Sequence, residues 1–282
     1  DWPAGATRGP LTFLGGLEIE SDETEFGSLS GAVALNDGSL VAVSDTGFAW
    51  RLSLESDANG TPTGGVSAVG TPLLDPSGQP FPAKDLSDAE AITLSPDGAR
   101  IIVAFETYHR VLDYPVGPDG RLLAGSQRVP MPDASRRLRY SKGLEAIAAA
   151  PLSSPLAGAL IAIGERPSHL TDDPALPGWI VGGPRAGAFH IERLDNFDAT
   201  DAAFLGNGDL LLLERRILLG DGPRMRLRRF RADEIVPGAR LRGDILLQAS
   251  AREAPVDNME ALAVEPAPVA TGPLVRVTIL SD

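Results

Sequence analysis

Five segments of this 282-residue chain share one pattern: a small or acidic residue, an alanine close behind it, then an alternating apolar strand. The copies read Ser30-Gly31-Ala32-Val33, Ala89-Glu90-Ala91-Ile92, Leu144-Glu145-Ala146-Ile147, Thr200-Asp201-Ala202-Ala203 and Met259-Glu260-Ala261-Leu262. Aligned on their second residues they fall at 31, 90, 145, 201 and 260, in steps of 59, 55, 56 and 59. A steady period of this size is what one four-stranded propeller blade with modest loops occupies. A repeat of this kind excludes most other folds, because each unit can bury its faces only against its neighbours.

Each copy continues through a turn into a second apolar strand that ends at another acid. Asn36-Asp37-Gly38 leads to Val41–Asp45, Pro96-Asp97-Gly98 to Ile101–Glu106, and Gly206-Asn207-Gly208 to Leu210–Glu214. Such turn residues between alternating strands mark hairpins. In the third and fifth copies the turn is longer, and the second strands are Ala159–Glu165 and Val275–Asp282. Outer strands are expected over Trp50–Leu54, Arg110–Tyr114, Gly187–Ile191 and Met225–Phe230, where apolar and polar residues alternate. The expected fold is therefore all-β: one propeller domain over residues 1–282, with five four-stranded blades. Residues Leu11–Ile19 precede the first copy as an unmatched strand, which is expected to complete the last blade and close the ring. Six blades would need an extra unit without the motif, and little sequence is unassigned.

Composition narrows the chemistry. Gly 31 and Pro 24 are scattered, which suits many short strands joined by turns. The absence of cysteine removes disulfides, thiolate metal sites and thiol nucleophiles together. A net charge of -13 opposes nucleic acid or an anionic membrane as partner. The basic runs Arg136, Arg137, Arg139, Lys142 and Arg226, Arg228, Arg229, Arg231 lack interleaved aromatics and read as a loop and a solvated outer strand. No apolar run approaches the eighteen residues of a membrane span. A monomer acting on a small molecule is the expectation.

In an antiparallel hairpin, the first residue of one strand and the last of its partner lie at the same end, opposite the turn. Glu90, Glu145, Asp201 and Glu260 are thus expected to converge on one mouth of the axial channel. Asp45, Glu106, Glu165, Glu214 and Asp282 should lie one strand further out, and Gly31 breaks the inner set. Carboxylates so close cannot all stay ionised in a partly dry site. Two neutralisers suit them. One is Ca²⁺ or another oxygen-preferring cation, since the set holds no histidine or thiolate in register. The other is the cations nearby: Arg166, Arg215 and Arg216 directly follow exit acids, and Lys142 lies three before Glu145. Acids at strand ends also hold blades together by accepting bonds from amides or arginines of the next blade, and that plainer role competes at every position. The candidate metal ligands are Glu90, Glu145, Asp201, Glu260, Asp45 and Glu214.

The segments resemble the phytase-like β-propeller family of secreted bacterial proteins, described as having esterase-like activity. The marks are Leu29-Ser30-Gly31 with Ser44-Asp45, Asp88-Ala89-Glu90-Ala91, Lys142-Gly143-Leu144-Glu145-Ala146, Ala199-Thr200-Asp201-Ala202 with Leu213-Glu214-Arg215, and Asp257-Asn258-Met259-Glu260-Ala261 with Leu280-Ser281-Asp282. The resemblance covers nearly the whole chain. It implies a periplasmic or secreted protein and calcium-assisted hydrolysis of phosphate or other small esters.

For such a reaction the cation would polarise the ester oxygens, a carboxylate would position or deprotonate water, and basic side chains would hold the remaining anionic oxygens. Glu145, Glu260, Arg166, Arg215 and Lys142 are the candidates for catalysis. A serine-hydrolase elbow is absent, because Gly27-Ser28-Leu29-Ser30-Gly31 has leucine at its centre. His109 and His169 lie just past blade mouths, where either could serve as a base, while His190 reads as an ordinary strand residue. The alternative to an enzyme is a propeller that binds a metal ion, small ligand or protein partner at the same mouth, since propellers host both.

Overall fold

A computed structural model describes residues 2–58, 60–139, 142–169, 171–218, 220, 222–266 and 275–282. Among the described residues, Thr7–Arg8 (β1) and Leu11–Thr12 (β2) pair only with each other. The first blade then stacks Leu29–Ala34 (β3), Leu40–Ser44 (β4), Phe48–Ser56 (β5) and Pro62–Pro72 (β6) in antiparallel order. The second blade is Ala89–Leu94 (β7), Arg100–Phe105 (β8), Arg110–Pro115 (β9) and Gln127–Arg128 (β10), preceded by the single helical turn Lys84–Ser87 (α1). Leu144–Ala149 (β11), Leu160–Gly164 (β12), Leu176–Val181 (β13) and Gly187–Ile191 (β14) form the third. The fourth holds Asp198–Phe204 (β15), Leu210–Leu218 (β16) and Gly222–Phe230 (β17). Arg240–Leu241 (β18) returns to pair in parallel with β14, and Asp244–Ser250 (β19) completes the fourth blade. Met259–Pro266 (β20) and Val275–Ser281 (β21) form the fifth.

The ring closes through its inner strands. They touch in the cyclic order β3, β7, β11, β15, β20 and back to β3. Five apolar clusters lie between successive blades, and the one between the fifth and first joins Ala261 and Ala263 to Leu29, Ala42 and Trp50. The fold is thus an all-β propeller. Alanine dominates the inner strands because blades converge at the axis; Ala32, Ala91, Ala146, Ala202 and Ala261 are all buried. At Gly31 the approach is tighter still: a Cβ there would lie 3.1 Å from the Ala91 Cα and from the Ile92 backbone nitrogen. Gly31 is therefore where the first blade packs on the second; it stands where Ala91 and Ala146 stand in their blades, and Ser30, not Gly31, takes the place of Glu90 and Glu145.

Closure by the N-terminal strand takes a different form from the one expected. Only Leu11–Thr12 of the Leu11–Ile19 segment is strand, and none of the described pairings joins it to β21. Its contribution is side-chain packing: Trp2 and Leu11 lie against the cluster formed by Leu213, Leu227 and Leu262 between blades four and five. Among the described residues the fifth blade has two strands, while the third has gained a fifth from β18.

Candidate functional site

Every inner strand carries the same irregularity. The pairing of inner and second strands slips between Leu29 and Gly31, Ala89 and Ala91, Leu144 and Ala146, Ala199 and Asp201, and Met259 and Ala261. One residue in each blade is thus pushed out of the ladder as a β-bulge, a device that re-aims a side chain at a rim. The bulged residues are Ser30, Glu90, Glu145, Thr200 and Glu260, at intervals of 60, 55, 55 and 60. Directly outside them, the residue after the second strand meets the residue before the first: Asp45 with Ser28, Glu106 with Asp88, Glu165 with Gly143, and Asp282 with Asn258, each through a backbone hydrogen bond. In the fourth blade the corresponding pair is Arg215 with Asp198.

This register moves the fourth blade by one residue from the alignment that the acids alone suggest. Thr200, not Asp201, occupies the bulge, and Arg215, not Glu214, occupies the exit position. Because strand side chains alternate faces, a shift of one residue removes both acids from the mouth. Asp201 is fully buried, and its carboxylate accepts backbone N–H bonds from Leu262 at 2.7 Å, Ala202 at 2.8 Å and Ala32 at 3.4 Å. It ties the fourth blade to the fifth and first near the axis, and burial raises its pKa well above the ordinary value against the pull of those amides. Glu214 forms a buried two-bond pair with Arg228, at 2.8 and 2.5 Å. Both are stitching acids, corrections to the ring as read from sequence.

Glu90, Glu145 and Glu260 come together, with one carboxylate oxygen from each lying within 4.8 Å of the others. Asp88, Glu90 and Glu106 form a second group of the same tightness, sharing Glu90. Asp88, two residues before Glu90, is a member of this site that the repeat alone does not place. Glu145 is 4% exposed and has no hydrogen bond or ion pair to any described residue. Burial lifts its pKa well above the usual range, with Glu90, Glu165 and Glu106 adding repulsion. Glu90 is pushed up to about 8, chiefly by burial and then by Asp88, Glu106 and Asp45. Glu106 rises to about 7 by burial and by Asp88. Asp45 falls outside both groups and is bound at 2.8 Å by the Lys84 ammonium.

Beside the acids opens a hollow of about 490 Å³. Lys142, Arg166, Arg193, Arg215 and Arg216 line it together with the carboxylates of Glu165, Asp198 and Glu260. Lys142 reaches Glu165 at 3.0 Å, and Arg166 and Arg193 clamp Asp198 at 2.7 and 2.5 Å. Arg215 is bound to Glu260 and also donates to Asn258 at 2.8 Å, while Asn258 donates to Glu260 at 2.6 Å. Glu260 belongs to both the acidic group and the hollow, so positive and negative halves of the mouth meet at that residue. Among the histidines, His109 is buried with its ring against the Leu138 carbonyl at 3.2 Å, and burial lowers its pKa. It is held as part of the framework.

A closed five-bladed ring with carboxylates and arginines at one mouth defines the class: a propeller with a bipolar polar site on its axis. The chain belongs to the phytase-like family, whose description is esterase-like activity of phytase; the family model matches residues 24–282. No curated protein matches the sequence. Among solved structures it is similar to the PQQ domain of a pyranose dehydrogenase from Coprinopsis cinerea (11% identity, 84% of this chain and 87% of that one, TM-score 0.43). It is also similar to a Trichoderma reesei carbohydrate-active enzyme of family AA12 (16% identity, 72% of this chain and 51% of that one, TM-score 0.42) and to the Dos1 propeller (10% identity, 79% and 48%, TM-score 0.36). The chain spans about half the length of the latter two, and nothing about its chemistry follows from likeness at this level.

Proposed function

We propose that this protein is a cation-dependent hydrolase of phosphate or other small esters, acting where the acidic ring meets the cationic hollow. The observation that carries the reading is Glu145: a residue only 4% exposed, without a hydrogen-bond partner among the described residues, whose carboxylate lies with those of Glu90 and Glu260. An all-oxygen donor set of this kind suits Ca²⁺. Glu90, Glu145 and Glu260 are the proposed ligands, with Glu106 and Asp88 behind them, and Asp201, Glu214 and Asp45 fall outside the set. Bound Ca²⁺ supplies positive charge to the ester oxygens. Arg166, Arg215 and Lys142 hold the anionic oxygens in the hollow, and Glu260, at the junction, positions water and accepts its proton. The proposed setting is periplasmic or secreted, where calcium is plentiful enough for a modest site.

The test is ester turnover in purified protein. Phosphoester hydrolysis should appear with Ca²⁺, vanish with a chelator and fall at least about a hundredfold in Glu145→Gln. Unchanged turnover in a Glu145→Gln, Glu260→Gln double variant would refute the site. A second reading, a binding propeller without turnover, is supported by the pairing already made between Arg215 and Glu260 and between Lys142 and Glu165. Cation binding without hydrolysis of any ester would favour it.

A further inference from the structure

The fourth blade departs from its neighbours in more than register. Its second strand, β16, runs nine residues, against five or six for its counterparts β4, β8 and β12. The extra length lies past Glu214, where Arg215 to Leu218 pair with Met225 to Gly222. That overhang stands on the rim of the hollow and lines it with Ile217 and Leu218, which are 57% and 48% exposed. Ile217 and Leu218, whose side chains leave opposite faces of the strand end, therefore both expose apolar surface at the edge of a site whose other lining is charged or amide. The charge of the lining is also limited. Five cations face three carboxylates.

We propose, resting on the hydrolase reading above, that the hollow takes a monoester with a single anionic group and an apolar alcohol, which packs against the Ile217–Leu218 lip. An excess of two positive charges in the lining suits one phosphoryl group, which carries about -2 near neutral pH, and not a polyphosphorylated polyol, whose remaining charges would meet Glu165 and Asp198. The apolar substituent gains contact with side chains that otherwise face solvent.

The experiment is calorimetric competition with two non-hydrolysable probes, phenylphosphonate and methylphosphonate, in the presence of Ca²⁺, beside turnover of phenyl phosphate and methyl phosphate. Phenylphosphonate should bind about tenfold more tightly, and Ile217→Ser with Leu218→Ser should abolish that difference while leaving methylphosphonate unchanged. Inositol hexakisphosphate should compete no better than phenylphosphonate. Equal affinity for the two phosphonates in the unaltered protein, or binding of neither, would overturn the inference whatever the turnover. Selective phosphonate binding without hydrolysis would leave it standing and refute the hydrolase reading instead. A change of oligomeric state on the double substitution, with both phosphonates bound as before, would assign the lip to a second copy of the chain and overturn it too.

Discussion

Asp201 and Glu145 are both buried acids at the inner end of an inner strand, and they serve opposite ends. Asp201 has three amide donors from three inner strands, so its carboxylate is a structural acceptor. Glu145 has none among the described residues, and burial beside Glu90, Glu165 and Glu106 disfavours its charge unless a cation offsets it. Replacing Asp201 with alanine leaves buried amides of Ala32, Ala202 and Leu262 without acceptors. The expected cost is about 3 kcal/mol or more in denaturant unfolding, with calcium affinity in the surviving folded protein little changed. A loss of calcium binding as severe as in Glu145→Gln would show that Asp201 is a ligand after all.

Element scale decides which acids reach the mouth. The hairpin plan and the five-fold period are legible in the sequence, because turn residues and alternation are local signals that propagate unchanged into the ring. The bulge is not legible, since it is defined by what faces a residue across the ladder, and two blades place a hydroxyl residue, Ser30 and Thr200, where the others place glutamate. An acid one step on, at Asp201, fills the gap in a sequence alignment and hides the offset. Glu214 misleads for the same reason, with Arg215 holding the exit position that Asp45, Glu106 and Glu165 hold elsewhere. The third strand of the third blade, Leu176–Val181, was masked by Pro177 and Gly178, which weaken any strand signal. Glu214 and Arg228 show what the misplaced acid does, as a buried pair between adjacent strands. Arg228→Met alone should destabilise by about 3–5 kcal/mol, because an unpaired carboxylate remains, whereas Arg228→Met with Glu214→Leu should recover most of that loss. A simple sum of the two single-variant losses in the double variant would contradict the pairing.

On the scale of the whole molecule, the ring gathers side chains that are 55 to 60 residues apart in sequence onto one axis, and this is what makes their protonation collective. Glu90, Glu106 and Glu145 all have raised pKa values in the folded protein, so without a cation the native state holds more protons than the unfolded chain between the ordinary carboxylate range and about pH 8. The sign follows directly: metal-free stability is greatest in mild acid and falls as pH rises through about 7 to 8, where these groups must ionise beside one another. A cation bound to the ionised set reverses the trend, because it competes with the same protons.

Thermal unfolding across this pH range, with chelator and with calcium, in the unaltered protein and in Glu145→Gln, tests the acidic ring most directly. The chelated protein should lose stability as pH rises, calcium should restore it in mild alkali but not in mild acid, and Glu145→Gln should show a weaker pH trend and little rescue. Melting temperatures of the unaltered protein that ignore both pH and calcium would mean that Glu90, Glu145 and Glu260 do not form a cation site.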